Sequence, residues 1–95
     1  MKTEYQVEII NKVRRLREAN QYSQTQLANH LGLSDGQIGN VESLKYSQKY
    51  TLSQIYRICK LFHIAIEHLF IDDDEYSKNI DIVDLLIQKI IQYEE

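Results

Sequence analysis

The pattern Ser/Thr-x-x-Gln occurs three times in this chain, as SQTQ at 23–26, SDGQ at 34–37 and TLSQ at 51–54. In a capping box, the hydroxyl of the first residue accepts from the backbone N–H of the fourth. The side chain of the fourth residue accepts from the backbone N–H of the first. Each copy precedes apolar residues at helical spacing. The pattern therefore predicts helices that begin near residues 24, 35 and 52.

Proline and glycine are too scarce in this chain for a domain of many short strands. The 95 residues include no proline and three glycines, so most segments lack the turn residues that separate strands. A hydrophobic content of 43% supports a packed core, and the length suits one small domain. These features predict an all-α fold.

Apolar residues at spacings of three and four predict five helices within the first 71 residues. Gly32 follows the second of them, where a left-handed residue commonly ends a helix. The apolar positions of the first helix are Tyr5, Val7, Ile9, Ile10, Val13, Leu16 and Ala19. The predicted helices are one that ends near residue 20 or 21, then 24–31, 35–44, 52–62 and a short one near 65–71.

The last 24 residues differ from the rest of the chain. Residues 72–78 begin with four acidic residues and are predicted to form an acidic linker. Residues 79–95 form an amphipathic helix with more apolar surface than a lone surface helix exposes. This helix therefore needs a partner surface, either on a second chain, as a dimerising helix, or on its own domain. Its apolar positions are Ile80, Ile82, Val83, Leu85, Leu86, Ile87, Ile90 and Ile91.

Charge is unevenly distributed along the chain. The net charge is −3, yet residues 1–60 contain nine Lys/Arg and five Asp/Glu, whereas residues 61–95 contain two Lys/Arg and nine Asp/Glu. A basic first part with an acidic tail weakly indicates contact with nucleic acid on one side.

Several classes of protein are not indicated by the sequence. No apolar run approaches the roughly 18 residues of a membrane span, and the N-terminus lacks the features of a secretory signal. The single cysteine cannot form an internal disulfide, and no Cys/His cluster has zinc spacing. No catalytic constellation or phosphate-binding loop is present. We expect a cytoplasmic binding protein without enzymatic activity, metal or cofactor.

Two stretches resemble one known family. VRRLREANQYSQTQLANHLGLSDGQIGNVES is similar to the helix-turn-helix domain of the Cro/phage-repressor type (XRE) family, and YTLSQIYRICKLFHIAIEHLF resembles that family's fourth and fifth helices. The resemblance covers roughly residues 7–71. It implies a five-helix lambda-repressor-like domain at 1–71, followed by the C-terminal amphipathic helix. It also implies a sequence-specific double-stranded DNA-binding transcriptional regulator, most commonly a repressor, that reads the major groove with helix 35–44.

The resemblance implies roles for individual residues. Gln24 matches a phosphate-contacting glutamine, and Ser34 matches a helix cap that also touches phosphate. Arg17 and Glu42 match a charged pair that ties the first helix to the third. The expected DNA-binding residues are Gln24, Thr25, Ser34, Asp35, Gly36, Gln37, Asn40, Lys45, Tyr46 and Lys49.

The chemistry of the third helix leaves alternatives open. Gln37 and Asn40 share one face, and both amides can bind adenine bidentately, although Gln37 is also the capping partner of Ser34. Asp35 either complements the helix N-terminus or accepts from cytosine. Two of the three glycines, Gly36 and Gly39, lie in this helix. Either they allow close approach of the duplex, or the helix has lost stringent recognition.

The segment after the third helix departs from the family pattern. Ser43 and Leu44 replace the family's Asn-Gly, so the sequence does not predict the usual left-handed turn. Lys45, Tyr46 and Lys49 follow in a basic, hydroxyl-rich loop that suits phosphate contact. The alternative is a solvated loop whose tyrosines pack on neighbouring residues.

Two functions remain open from the sequence. A DNA-binding regulator would act as a homodimer, since one recognition helix reads too few bases for tight binding, and residues 79–95 would join the two copies. The alternative is a protein-interaction module on the same scaffold, such as an antitoxin or adaptor, whose acidic and apolar tail binds a partner protein.

Overall fold

Seven α-helices and no strands make up the fold in the computed structural model, which describes residues Met1–Glu95. The predicted all-α fold is therefore confirmed. One helix more is present than the sequence analysis predicted. The helices are α1 Glu4–Ala19, α2 Gln24–Leu31, α3 Asp35–Glu42, α4 Leu52–Leu61, α5 Ile66–Phe70, α6 Asp73–Lys78 and α7 Ile82–Glu94.

Five of the seven helices begin with a complete capping box. The three predicted from the sequence are present, at the starts of α2, α3 and α4. Two more open α1, where Thr3 pairs with Gln6, and α6, where Asp72 pairs with Glu75. Because each box spans only four residues, the start of these helices is determined locally.

The core lies where α1, α2, α3, α4, α5 and α7 converge. The inner face of α1 is formed by Ile9, Ile10 and Val13, which are buried. Ala19, which the spacing placed on the same stripe, is exposed because it lies in the last turn of α1, at the edge of the core. The remaining buried hydrophobic residues are Leu27, Ala28, Leu31, Ile38, Val41, Tyr50, Ile55, Ile58, Cys59, Leu69, Phe70, Ile71 and Tyr93.

A three-residue connection joins α2 to α3. Gly32 ends α2 in the left-handed conformation, with φ of 70°, as the sequence predicted. The backbone N–H of Leu33 donates to the carbonyl of Ala28 at 2.8 Å, so this turn satisfies one of the last α2 carbonyls. The short connection holds the two helices in direct contact.

Residues 72–78 were expected to be an acidic linker, but most of them form α6. Asp72 accepts from the backbone N–H of Glu75 at 2.8 Å, and acidic side chains in the first turn complement the positive end of the helix. The helix buries no residue, so the expectation of a solvated segment agrees with its exposure. Glu75 also pairs with Lys89 at 2.8 Å, which ties α6 to α7.

The last helix, α7, packs against its own domain. Tyr93 is fully buried, and its hydroxyl donates to the backbone carbonyl of Tyr50 at 2.7 Å. The Gln6 amide donates to the carbonyl of Tyr93 at 2.7 Å, which joins the first and last helices. One side of α7 thus has the partner surface that the sequence required.

Four cationic side chains satisfy carbonyls at the C-terminal ends of four helices. Lys2 donates to the end of α3, Lys12 to the end of α5, Lys49 to the end of α7 and Arg57 to the end of α2. Backbone carbonyls in the last turn of a helix lack intrahelical partners, so each contact supplies a missing donor.

None of the seven helices combines the length and apolar character that crossing a bilayer requires.

We predict that Tyr93→Phe lowers the free energy of unfolding by about 1–3 kcal/mol, because the buried carbonyl of Tyr50 loses its donor. Chemical denaturation would measure the change. The control is Tyr76→Phe, whose ring lies at the surface and which we expect to change stability by less than about 0.5 kcal/mol. Equal stability of the Tyr93 variant and the parent would contradict the docking of α7.

Candidate nucleic-acid interface

The N-terminal end of α2 lies across α3 and contacts both of its ends. The Thr25 hydroxyl donates to Asp35 at the start of α3, at 2.9 Å, and the Gln24 amide donates to Glu42 at its end, at 3.0 Å. The α3 residues that face outward are Asp35, Gly36 and Gln37, which are exposed, and Asn40, which is half-buried. The structure therefore brings most of the predicted DNA-binding residues to one surface.

Arg17 and Glu42 are in direct contact and tie α1 to α3. Arg17 Nε donates to Glu42 Oε2 at 2.8 Å, and Nη2 donates to Oε1 at 3.0 Å. Both side chains are almost completely buried, with 9% and 4% of their surfaces exposed. In a third bond, Arg17 Nη1 donates to the carbonyl of Tyr22, in the segment between α1 and α2, at 2.8 Å. The hydrogen bond to Glu42 raises the pKa of Arg17, so the guanidinium stays charged.

Gln24, predicted to contact phosphate, donates one of its two amide N–H groups to Glu42. The second N–H of this amide makes no bond in the protein and remains a donor for phosphate, whereas the side-chain oxygen can only accept. The backbone N–H groups of Gln24 and Thr25 lie in the first turn of α2, where no intrahelical acceptor exists. These groups and the second amide N–H of Gln24 are the donors available to a phosphate at this position.

The exposed side chain of Asp35 accepts a hydrogen bond from the Thr25 hydroxyl. Asp35 occupies the first position of α3, where a carboxylate complements the helix dipole. Of the two alternatives for this residue, the geometry favours the helix-end role over acceptance from a cytosine.

Gln37 and Asn40 differ in what they can offer a base edge. The Oε1 atom of Gln37 accepts from the backbone N–H of Ser34 at 2.8 Å and lies 3.2 Å from its hydroxyl, which leaves Nε2 as a donor. Bidentate recognition of adenine needs a donor and an acceptor from one amide, and Gln37 lacks the acceptor while it caps α3. The Asn40 side chain makes no hydrogen bond in the protein, so both of its polar atoms remain available.

Neither glycine in α3 is required by the fold. A Cβ atom at Gly36 would meet nothing within 4 Å, and one at Gly39 would lie 3.7 Å from Gln24 Oε1, which is an ordinary contact. Gly32 has the only positive φ among the glycines, so α3 does not need left-handed backbone either. Each of the two glycines costs α3 roughly 0.5–1 kcal/mol relative to alanine. Either something outside the domain requires glycine at positions 36 and 39, or glycine is not required there at all.

Lys2 supports the C-terminal end of α3. Ser43, which caps the helix, is extended, so the left-handed turn common in the resembled family is absent. The Lys2 ammonium replaces it with bonds to the carbonyls of Asn40, Val41 and Ser43 at 3.3, 2.7 and 2.6 Å. Burial lowers the pKa of Lys2. This role of Lys2 could not be predicted from the sequence, because Lys2 lies about 40 residues from its acceptors and no local pattern marks such a contact.

The loop after α3 divides into an exposed and a buried part. Lys45 and Tyr46 are exposed and available to a ligand. Lys49, also predicted to bind DNA, instead donates to the carbonyls of Tyr93 and Glu94, each at 3.1 Å. Tyr50 is fully buried, and its hydroxyl has no partner within the protein. Burial raises the pKa of Tyr50, which keeps the hydroxyl neutral.

Much of the basic charge of residues 1–60 has an internal role. Five of the nine cations there bind backbone carbonyls or a buried carboxylate: Lys2, Lys12, Arg17, Lys49 and Arg57. Four of these cations satisfy helix ends and the fifth, Arg17, pairs with Glu42. The uneven charge distribution therefore gives less support to nucleic-acid contact than the sequence alone indicated.

No three His, Cys, Asp or Glu side chains are placed to bind a metal ion together. Comparisons of the chain with protein-family models, curated proteins and solved structures find no match. The similarity to the Cro/phage-repressor family therefore remains a prediction from the motifs in the sequence.

We predict that Lys2→Met lowers the free energy of unfolding by about 1 kcal/mol, because three carbonyls lose a charged donor at a partly exposed site. Hydrogen exchange should quicken at the backbone amides of residues 41–43, at the end of α3. The matched control is Lys45→Met, which removes an ammonium that makes no bond. Unchanged exchange in α3 would show that Lys2 does not support this helix.

Proposed function

We propose that this protein is a sequence-specific double-stranded DNA-binding regulator of transcription, acting as a repressor. In this proposal, α2 and α3 form a helix-turn-helix within a five-helix domain of the lambda-repressor type. The third helix enters the major groove, and α2 crosses the DNA backbone. The protein acts by binding rather than by catalysis.

The two glycines on the outer part of α3 carry the proposal. They weaken a short helix, and nothing inside the domain needs them, since a Cβ atom fits at both positions. A duplex that approaches the helix backbone closely would need them, because a side chain at either position would keep the groove at a distance. This explanation accounts for both glycines with one partner surface.

The contacts of the proposed interface follow from the available donors and acceptors. Asn40 presents an unpaired amide that matches adenine, and Gln37 Nε2 can donate to an acceptor on guanine or thymine. The backbone N–H groups at the start of α2 face phosphate, as does the cap residue Ser34. Lys45 and Tyr46 extend the phosphate contacts beyond α3. Lys49 is not part of this interface, because its ammonium donates to carbonyls at the C-terminal end of α7.

Operator binding by this protein requires two copies. One short helix with two glycines offers few side chains to base edges, and a dimer would place two such helices in successive major grooves. Residues 79–95 supply the surface that joins the copies in this proposal.

A second candidate is a protein-interaction module such as an antitoxin or adaptor. The outward side of α7, which exposes Val83, Ile87 and Ile91, favours binding to protein. The two roles differ in their response to salt. Affinity for DNA falls steeply as salt rises because phosphate counterions are released, whereas binding through an apolar helix does not.

The proposal predicts that selection of the purified protein from a random duplex library, at two salt concentrations, enriches a palindrome whose binding weakens at the higher salt. Asn40→Ala should reduce affinity for that palindrome by about 1–3 kcal/mol and relax the choice of base at one position in each half-site. The matched control is Asn29→Ala on the exposed side of α2. If the recovered duplexes share no enriched sequence, specific recognition by this protein is refuted.

We predict that Gly36→Ala and Gly39→Ala each stabilise the fold by about 0.5–1 kcal/mol and weaken duplex binding. Stability would be measured by chemical denaturation, and affinity by titration of the selected duplex. Gly32→Ala is the control from the third glycine: its φ of 70° should make alanine destabilising, with affinity retained in the folded protein. Undiminished affinity in both α3 variants would mean that no partner needs these glycines.

A further inference from the structure

A cleft of about 350 Å³ lies between α1 and α5. Four residues of α1, at successive spacings of three, one and three, form one wall, so they lie on one face of that helix. The other wall is formed by two residues of α5 and one from the segment before it. No residue of α2 or α3 lines the cleft, so it is separate from the proposed nucleic-acid interface.

The apolar part of the cleft is held in place by the core. Leu69 is buried, and Leu16 and Ile64 are half-buried and pack against the core cluster. Ala19, the exposed residue at the end of α1, is the fourth apolar lining residue. Ligand pockets in proteins are mostly preformed, apolar clefts of about 300–1,000 Å³ with a few polar groups, and this cleft fits the small end of that range.

Every polar side chain that lines the cleft is basic: Lys12, Arg15 and His68. The Lys12 ammonium donates to the carbonyl of Leu69 at 3.2 Å, which holds it beside α5 and leaves two of its three N–H donors. The His68 ring packs on the ring of Tyr76 in α6, with 5.1 Å between centroids, and can donate a ring N–H. The polar groups of the cleft therefore favour an acceptor with negative charge.

Arg15 is the basic residue of the cleft whose charge has no partner in the protein. Its side chain is exposed and forms no ion pair, whereas the neighbouring Arg14 lies 3.6 Å from Glu18. A guanidinium presents parallel N–H donors that match both oxygens of a carboxylate. The Lys12 ammonium, in contrast, already offsets the negative C-terminal end of α5.

We propose that this cleft binds a small amphipathic monocarboxylate. The carboxylate accepts from Arg15, with Lys12 as a second donor, and the hydrocarbon part lies against Leu16 and Ile64. One uncompensated guanidinium balances one negative charge. A phosphate ester carries a charge of about −1.5 to −2 near neutral pH, which this site does not balance.

Titration of the full chain with sodium octanoate, followed by the NMR shifts of its backbone amides, tests the inference. The shifts should saturate with a dissociation constant on the order of 1 mM, as suits a ligand of about ten non-hydrogen atoms in an open cleft. They should be centred on residues 12–19 and 64–69. Full burial of one methylene raises affinity about fourfold, so hexanoate, two methylenes shorter, should bind about four- to fifteenfold more weakly.

Two further ligands separate the contribution of charge from that of the hydrocarbon chain. Octanol keeps the chain and lacks the carboxylate, so it should bind at least about fivefold more weakly than octanoate. Octyl phosphate keeps the chain and carries the larger charge, and it should also bind more weakly than octanoate.

Three variants test the residues that form the site. Arg15→Gln should weaken octanoate binding at least about fivefold. The matched control is Arg14→Gln, which removes the same charge one residue away and should leave the affinity unchanged. Ala19→Phe should abolish binding with Arg15 still present, because the larger side chain occupies the cleft. Circular dichroism of each variant checks that the helices are retained.

Each contrary result overturns a defined part of the inference. Shifts confined to residues 82–94 would mean that octanoate adheres to the exposed apolar side of α7, and would overturn the site. The absence of saturation up to about 50 mM octanoate would do the same. Equal affinity for octanol, or for the Arg15 variant, would overturn recognition of the carboxylate. Tighter binding of octyl phosphate would assign the cleft to phosphate esters instead. None of these measurements involves DNA, so their outcome is independent of the proposed function.

Discussion

Helix ends impose the main constraint on this molecule. Seven helices in a chain of 95 residues leave many backbone N–H and carbonyl groups without intrahelical partners. Five of the seven N-terminal ends have a capping box that spans four residues. The C-terminal ends of four helices are satisfied by cations from elsewhere in the chain, so those bonds also join the elements to one another. Lys2 connects the start of α1 to the end of α3, and Lys49 connects the loop after α3 to the end of α7.

The difference between locally capped N-terminal ends and C-terminal ends that receive distant donors explains how much of the fold the sequence could predict. The starts of α2, α3 and α4 followed from patterns of four residues, and the left-handed Gly32 followed from its position after α2. The cationic helix ends could not be predicted, since 26 residues separate Arg57 from Leu31 and 57 separate Lys12 from Leu69. The width of the apolar surface on α7 showed that this helix needed a partner. It did not show that one face docks on the domain while the other stays exposed, because that division depends on the anchoring of Tyr93.

The candidate interface was predictable in position but not in chemistry. The outward residues of α3 lie at the surface, as their spacing indicated, and Arg17 meets Glu42. Which polar atoms are already bonded depends on tertiary contacts that spacing does not report. Gln24 donates one amide N–H inside the protein and Gln37 accepts there through its amide oxygen, whereas the side-chain oxygen and nitrogen of Asn40 are both unpaired.

The two glycine positions of α3, which carry no side chain, have a consequence for how this fold could change the DNA sequence that it binds. Residues 36 and 39 accept a side chain without disturbing neighbouring atoms, and the helix beneath them is held by the Arg17–Glu42 pair and by Lys2. Substitutions there leave the core untouched, so a polar side chain at either position would project a new hydrogen-bonding group from an unaltered frame. Within the proposed role, such a side chain would weaken binding to the present target, so a new base preference would need a duplex that accommodates the side chain, but it would arise at little cost to folding.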